Sequence, residues 1–246
     1  MFTIEQRDDL RAYLLRLAQE DERVVAAAAV GSLALDGGDR FSDLDLTFAV
    51  ADDSAVRDVL DDWTRALVEE RDAVHLADLE RGPTIYRVFL LPDALQFDLS
   101  LTPAAQFRPA GPRWRTLFGE TAEGETRPTP PAAHDLFGWG VIYALHSRAC
   151  IERRRLWQAE HYVGAVRDHA LSLACLREDL PAVQARGHDD LSGETLARFA
   201  DTHVAALAPD ALRSALTASV RALLREATEA HVPHAGSVAT RLAELA

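Results

Sequence analysis

The spacing of apolar positions changes several times in the first hundred residues, and each change marks an element. Leu10, Tyr13, Leu14, Leu17 and Ala18 recur at helical spacing, and Thr3 followed by Gln6 is a capping-box pattern. Together they predict a first helix that ends at Asp21-Glu22-Arg23. Val24 to Val30 is an unbroken apolar run with β-branched ends, read as a buried strand that stops at Gly31-Ser32. Beyond the turn-rich stretch Asp36-Gly37-Gly38-Asp39-Arg40, Leu44 to Val50 alternates as a second strand. Ser54 is placed to cap a helix through about Arg71, with Val56, Val59, Leu60, Trp63, Leu67 and Val68 on one face. Val74 to Leu79 predicts a third strand. Thr84 to Leu90 and Leu95 to Leu101 predict two more, joined by a hairpin turn at Leu91-Pro92-Asp93-Ala94.

The pattern then alters twice. Pro103, Pro109, Pro112, Pro128, Pro130 and Pro131, with Gly111, Gly119 and Gly124 among them, predict a connecting arm without a regular element. After Ala132 strand signals vanish, and an Ala-, Leu- and Arg-rich helical periodicity predicts a bundle of four or five helices. The expected fold class is therefore α+β: a mixed sheet with flanking helices over 1–107, a Pro/Gly-rich connecting segment over 108–131, and a helical domain over 132–246.

Charge narrows the choice of partners. The chain has 26 basic and 39 acidic residues, a formal net charge of −13, and every basic residue is Arg. Such a surface repels a polyanion and draws in a cationic small molecule, so nucleic acid is disfavoured as a main partner. No apolar stretch approaches the about 20 residues of a membrane helix, and the polar, acidic N-terminus does not read as a secretory signal. A cytoplasmic protein is expected, with no membrane partner. Cys150 and Cys175 lie in apolar helical surroundings and read as small core residues.

The chemistry concentrates in acidic residues placed where strands should be apolar. Side chains at i and i+2 of a strand face the same side, so Asp43 and Asp45 point together while Leu44 enters the core. Asp98 interrupts an alternating run between Phe97 and Leu99. If its strand lies beside Leu44–Val50, three carboxylates converge, a costly arrangement unless a cation neutralises them. Mg²⁺ takes hard oxygen ligands of this kind together with substrate phosphates. Gly31-Ser32 ends the preceding strand at the same edge, where a glycine allows close approach and amides plus a hydroxyl can hold phosphate oxygens. A second reading of Gly31 is a turn residue alone.

These residues, Gly31-Ser32, then Phe41-Ser42-Asp43-Leu44-Asp45-Leu46, then Gln96-Phe97-Asp98-Leu99, resemble the signature of the nucleotidyltransferase superfamily over residues 1 to about 107. The helical half resembles, in architecture only, the companion domain of the aminoglycoside- and lincosamide-type antibiotic nucleotidyltransferases. The resemblance implies transfer of a nucleoside monophosphate, AMP from ATP or another nucleoside triphosphate, to a hydroxyl of a small molecule, with release of pyrophosphate. It also implies two Mg²⁺ ions, Asp43 and Asp45 binding both and Asp98 binding the one near the attacking hydroxyl. Gly31, Ser32 and Ser42 would lie along the nucleotide.

Such enzymes take a general base from the helical domain. On a helical wheel of Leu156 to Leu176, Glu160 and Arg167 fall inside the apolar sector of Leu156, Val163, Ala170, Leu171 and Ala174. They read either as an internal ion pair or as a base with Arg167 near the phosphates; Asp168 and His161 are alternatives on the flank. Arg40 and Arg87 are candidates for a triphosphate-directed cation or for surface charges, and Trp114 for a stacking ring or a packed anchor. Two other functions stay open. Arg155 with His161, and Arg198 with His203, match the Arg-x4–6-His spacing of helical toxin domains paired with transferases that modify protein or tRNA; the other is a non-catalytic nucleotide-binding domain.

Overall fold

The computed structural model describes residues 1–35, 38–124 and 129–242, so Asp36 and Gly37 of the turn-rich stretch lie outside the described residues. Contacts divide the chain into a first unit, 1–128, and a second, 129–246.

The first unit opens with α1 (Ile4–Glu20). Its capping box is formed as expected: the Thr3 hydroxyl accepts from the Gln6 amide at 3.2 Å, and the Gln6 side chain accepts from the Thr3 amide at 2.7 Å. Strands β1 (Val24–Val30), β2 (Leu44–Val50), β3 (Val74–Arg81), β4 (Thr84–Leu91), β5 (Leu95–Pro103) and β6 (Trp114–Phe118) form one sheet in the order β3-β4-β5-β2-β1-β6. All neighbours are antiparallel except β2 and β5, which run parallel and are linked through α2 (Val56–Arg71), β3 and β4.

One face of the sheet carries the core. Leu44, Leu46, Phe48 and Val50 of β2 and Phe97, Leu99 and Leu101 of β5 pack under Leu10 and Leu14 of α1 and Val59, Leu60, Trp63 and Leu67 of α2. The Trp63 ring meets Phe48 edge-on at 4.9 Å and its N–H donates to Asp21 at 3.0 Å, so a large apolar ring keeps its polar end satisfied. The other face is lined by small residues, Ala26, Ala28 and Ala49, beneath Phe107 and Trp114.

Two local expectations change. Asp52, not Ser54, starts the second helical segment: its carboxylate accepts from the Ser54 amide and hydroxyl, each at 2.9 Å. It thereby caps a 3₁₀ turn (Asp53–Ala55) that runs into α2, an ionised oxygen being the stronger acceptor at a positive helix end. The expected connecting arm also holds a regular element, β6, which pairs antiparallel with β1. Gly119 follows it at φ +75°, where a Cβ would collide with the Val25 carbonyl and Ala26.

The regular elements of the second unit, among its described residues, are all helical: α3 (Ala133–Glu152), α4 (Leu156–Arg177), α5 (Gly193–Ala197), α6 (Pro209–Glu229) and α7 (Ala235–Arg241), with short 3₁₀ turns. Ala144, Val163, Val166, Ala170, Leu173, Leu212, Val220 and Leu223 form its core. Cys150 and Cys175 are buried there as free thiols, and burial pushes the Cys175 thiol up to about 11. Among the described residues no helix is long and apolar enough to cross a membrane. The fold class is α+β, a mixed sheet with flanking helices followed by a helical region.

Candidate active site at the rim of the sheet

The parallel register of β2 and β5 sets Asp45 opposite Asp98. Leu44 and Leu46, on either side of Asp45 in the chain, and Phe97 and Leu99, on either side of Asp98, all enter the helix-covered core. Alternation therefore sends both aspartates to the opposite face. Asp43 lies just ahead of β2, and one carboxylate oxygen from each of Asp43, Asp45 and Asp98 falls within 4.8 Å of the others. Burial raises the Asp98 carboxyl above the usual carboxylate range, and the negative charge of Asp43 raises it further. A hydrogen bond from the Gln96 amide at 2.9 Å opposes the shift. Three hard oxygen donors this close, one of them resisting ionisation, fit a divalent cation of the Mg²⁺ type.

Gly31 enters this geometry through its missing side chain. It sits at φ +69°, and a Cβ there would collide with Asp45 Oδ2 and lie 3.1 Å from Asp45 Cγ. A glycine is thus required both by the backbone turn out of β1 and by the approach of the Asp45 carboxylate. Ser32 is the first residue beyond it, and its buried hydroxyl oxygen has no hydrogen-bond partner among the described residues. An unsatisfied buried hydroxyl is uncommon and is a ready donor to an anion.

Ser42 is engaged within its own loop. Its hydroxyl accepts from the Asp39 amide at 2.9 Å and donates to the Asp39 carboxylate at 3.2 Å, and that carboxylate also accepts from the Phe41 amide at 2.8 Å. Arg40 in the same loop is exposed, with its guanidinium 4.3 Å above the Phe41 ring. Arg7 of α1, which the sequence pattern did not single out, is buried and donates through Nη1 to the carbonyls of Asp39 at 2.7 Å and Ser42 at 3.0 Å. Its only sequence signal is an arginine on the stripe of Leu10, Leu14 and Ala18.

Arg87 is not brought to the acids. It pairs in register with Leu99 and so faces the helices, where it makes a two-pronged bond to Asp78 at 2.8 and 2.7 Å and single bonds to Asp61 at 3.1 Å and Thr64 at 2.9 Å. The reading of Arg87 as a triphosphate-directed cation is corrected to an ion pair that ties β4 to β3 and α2. Trp114 packs at 5.0 Å from Phe107, as an anchor on the small-residue face.

In the second unit, Glu160 is exposed on α4 and does not occupy the apolar sector expected of it. The buried stripe of that part of α4 is Ala159, Val163, Val166 and Ala170. Arg167 is half-buried and bonds to its neighbour Asp168 at 3.1 Å, so the expected internal Glu160–Arg167 pair is replaced by Arg167–Asp168. His161 is exposed beside Tyr162, at 5.4 Å between rings. Arg198, of the second Arg–His spacing, is held by Glu194 at 2.6 Å and Glu229 at 3.3 Å.

No protein-family model and no curated protein matches the chain. Among solved structures it is similar to an aminoglycoside 6-adenyltransferase from Bacillus subtilis, at 13% identity over 97% of each chain with a TM-score of 0.42.

Proposed function

We propose that the chain is a Mg²⁺-dependent nucleotidyltransferase that moves a nucleoside monophosphate, AMP from ATP, onto a hydroxyl of a small molecule of the aminoglycoside type. The observation that carries this reading is the meeting of Asp43, Asp45 and Asp98 at one rim, with Gly31 cleared for the Asp45 carboxylate. Asp43 and Asp45 would hold two Mg²⁺ ions and Asp98 the one on the acceptor side. Mg²⁺ held there supplies neutralisation of the triphosphate and of the leaving pyrophosphate. The Ser32 hydroxyl, buried and without a hydrogen-bond partner among the described residues, would donate to a phosphate oxygen, with Gly31 turning the backbone beside it. In the reaction a bond forms from the acceptor oxygen to the α-phosphorus, the α–β bridging P–O bond breaks, and pyrophosphate leaves with the electron pair. The acceptor's proton passes to a general base as the new bond forms. We assign Arg40, exposed in the loop ahead of Asp43, to the phosphates.

The test is incubation with each nucleoside triphosphate, Mg²⁺ and a panel of amino-sugar antibiotics while pyrophosphate is measured. Acceptor-dependent release is expected, falling by about a hundredfold or more in Asp45→Asn. Release that persists unchanged in Asp45→Asn, or none with any acceptor, overturns the proposal.

A further inference from the structure

The first turn of α1 touches both chain segments that lead into the acidic strands. On one side the Phe2 amide donates to the Asp93 carbonyl at 2.8 Å, and the Gln6 side chain donates to the Asp93 carboxylate at 2.9 Å, in the turn just before β5 and Asp98. On the other side Arg7 reaches the loop just before β2. Its Nη1 joins the Asp39 carbonyl at 2.7 Å to the Ser42 carbonyl at 3.0 Å, and the second of these belongs to the peptide that continues directly into Asp43.

That loop is already closed on itself. The Ser42 amide donates to the Asp39 carbonyl at 3.3 Å, and the Asp39 side chain accepts from Phe41 and Ser42. What these internal bonds do not fix is where the closed turn sits relative to the sheet. Arg7 supplies that reference. It is 5% exposed on a helix face otherwise made of Leu10, Leu14 and Ala18, where an apolar residue would cost far less to bury. Its Nε is buried without a hydrogen-bond partner among the described residues, so the side chain is placed for its Nη1 contacts rather than for its own full satisfaction.

We propose that Arg7 is a positioning residue for the cation site: by clamping the 39–42 turn from α1, it sets the Asp43 carboxylate at its distance from Asp45 and Asp98. This rests on the reading of those three aspartates as a cation site, and it adds a part of the site that lies on another element. Outer-shell partners that orient ligands act in this way, and their loss typically costs about 10–100-fold in metal affinity.

The experiment titrates Mn²⁺ alone, without nucleotide, into the full chain and follows free Mn²⁺ by its magnetic resonance signal, with circular dichroism to establish folding. Arg7→Met is expected to weaken Mn²⁺ binding by about tenfold or more. Arg7→Lys keeps the charge and a donor, and should fall between Arg7→Met and wild type. Leu10→Ala, which loosens α1 without touching the turn, should bind as wild type does. A folded Arg7→Met with wild-type affinity overturns the inference, as does a Leu10→Ala loss equal to that of Arg7→Met. If Arg7→Met does not fold, Arg7→Lys decides, and wild-type affinity in that variant overturns the inference. Wild-type protein that binds no Mn²⁺ overturns this inference and the cation site together. Wild-type protein that binds Mn²⁺ but releases no pyrophosphate overturns the transferase reading and leaves the role of Arg7 standing.

Discussion

Arg87 shows how one side chain can be committed to the fold although it neighbours a strand of the site. Its paired bond to Asp78, with Asp61 and Thr64 completing the set, joins β3, β4 and α2. Arg87 holds the Asp78 carboxyl below its usual range, with His75 contributing, so this stabilisation is present above 3.8, the ordinary Asp value, and is lost as the pH falls through the lowered one. Arg87→Met removes charge-assisted hydrogen bonds to partly exposed partners and is therefore expected to lower the unfolding free energy at neutral pH by about 2 kcal/mol. In urea titrations the gap to wild type should narrow as the pH falls from 3.8, where the unfolded chain takes up the Asp78 proton, through the lowered value, where the folded wild type does. Mn²⁺ affinity should not change. The sequence placed Arg87 on the strand beside Asp98 but not on its face. Val88, not Arg87, opposes Asp98, and a one-residue difference in register reverses the side to which a side chain points. The aspartates were legible because carboxylates inside an apolar alternation have no packing use. The bond between Arg7 and the 39–42 turn was not, since it spans more than thirty residues and depends on how α1 lies on the sheet.

At the scale of elements, the capping box and the alternating strands were readable because each is written within a few consecutive residues. Strand β6 was hidden by its surroundings. Prolines crowd 103–131, yet Trp114 to Phe118 contains none, and it becomes a strand only by pairing with the free edge of β1. Gly119 is what lets the chain leave that edge. Its φ of +75° and the nearness of the Val25 carbonyl and Ala26 forbid a side chain. Gly119→Ala is expected to destabilise the first unit by about 2–3 kcal/mol in urea titration, with the loss concentrated in the protection of the β1 and β6 amides from hydrogen exchange. Helix α4 misled the wheel for a different reason. Its residues Ala170 to Cys175 are all buried, so it is surrounded near its C-terminus, and a single apolar sector does not describe it.

At the scale of the whole molecule, the charge of −13, with arginine as the sole basic residue type besides histidine, sets the long-range field. A polycationic acceptor approaching such a surface gains from attraction that salt screens. The KM for an amino-sugar acceptor is expected to rise several-fold between low and high salt, whereas the KM of a neutral polyol acceptor should stay flat; steady-state kinetics across a salt series checks this. The parallel pairing of β2 with β5 has a consequence of its own. Asp45 and Asp98 become neighbours only after α2, β3 and β4 have been spooled between them, so their meeting closes a loop of about fifty residues, a slow and entropically dear event beside any hairpin. A nascent chain still emerging from the ribosome would own the acids without yet owning a place to trap a cation. An ion captured at that rim would act after the rate-limiting ascent, prolonging the lifetime of the finished protein without hastening its birth.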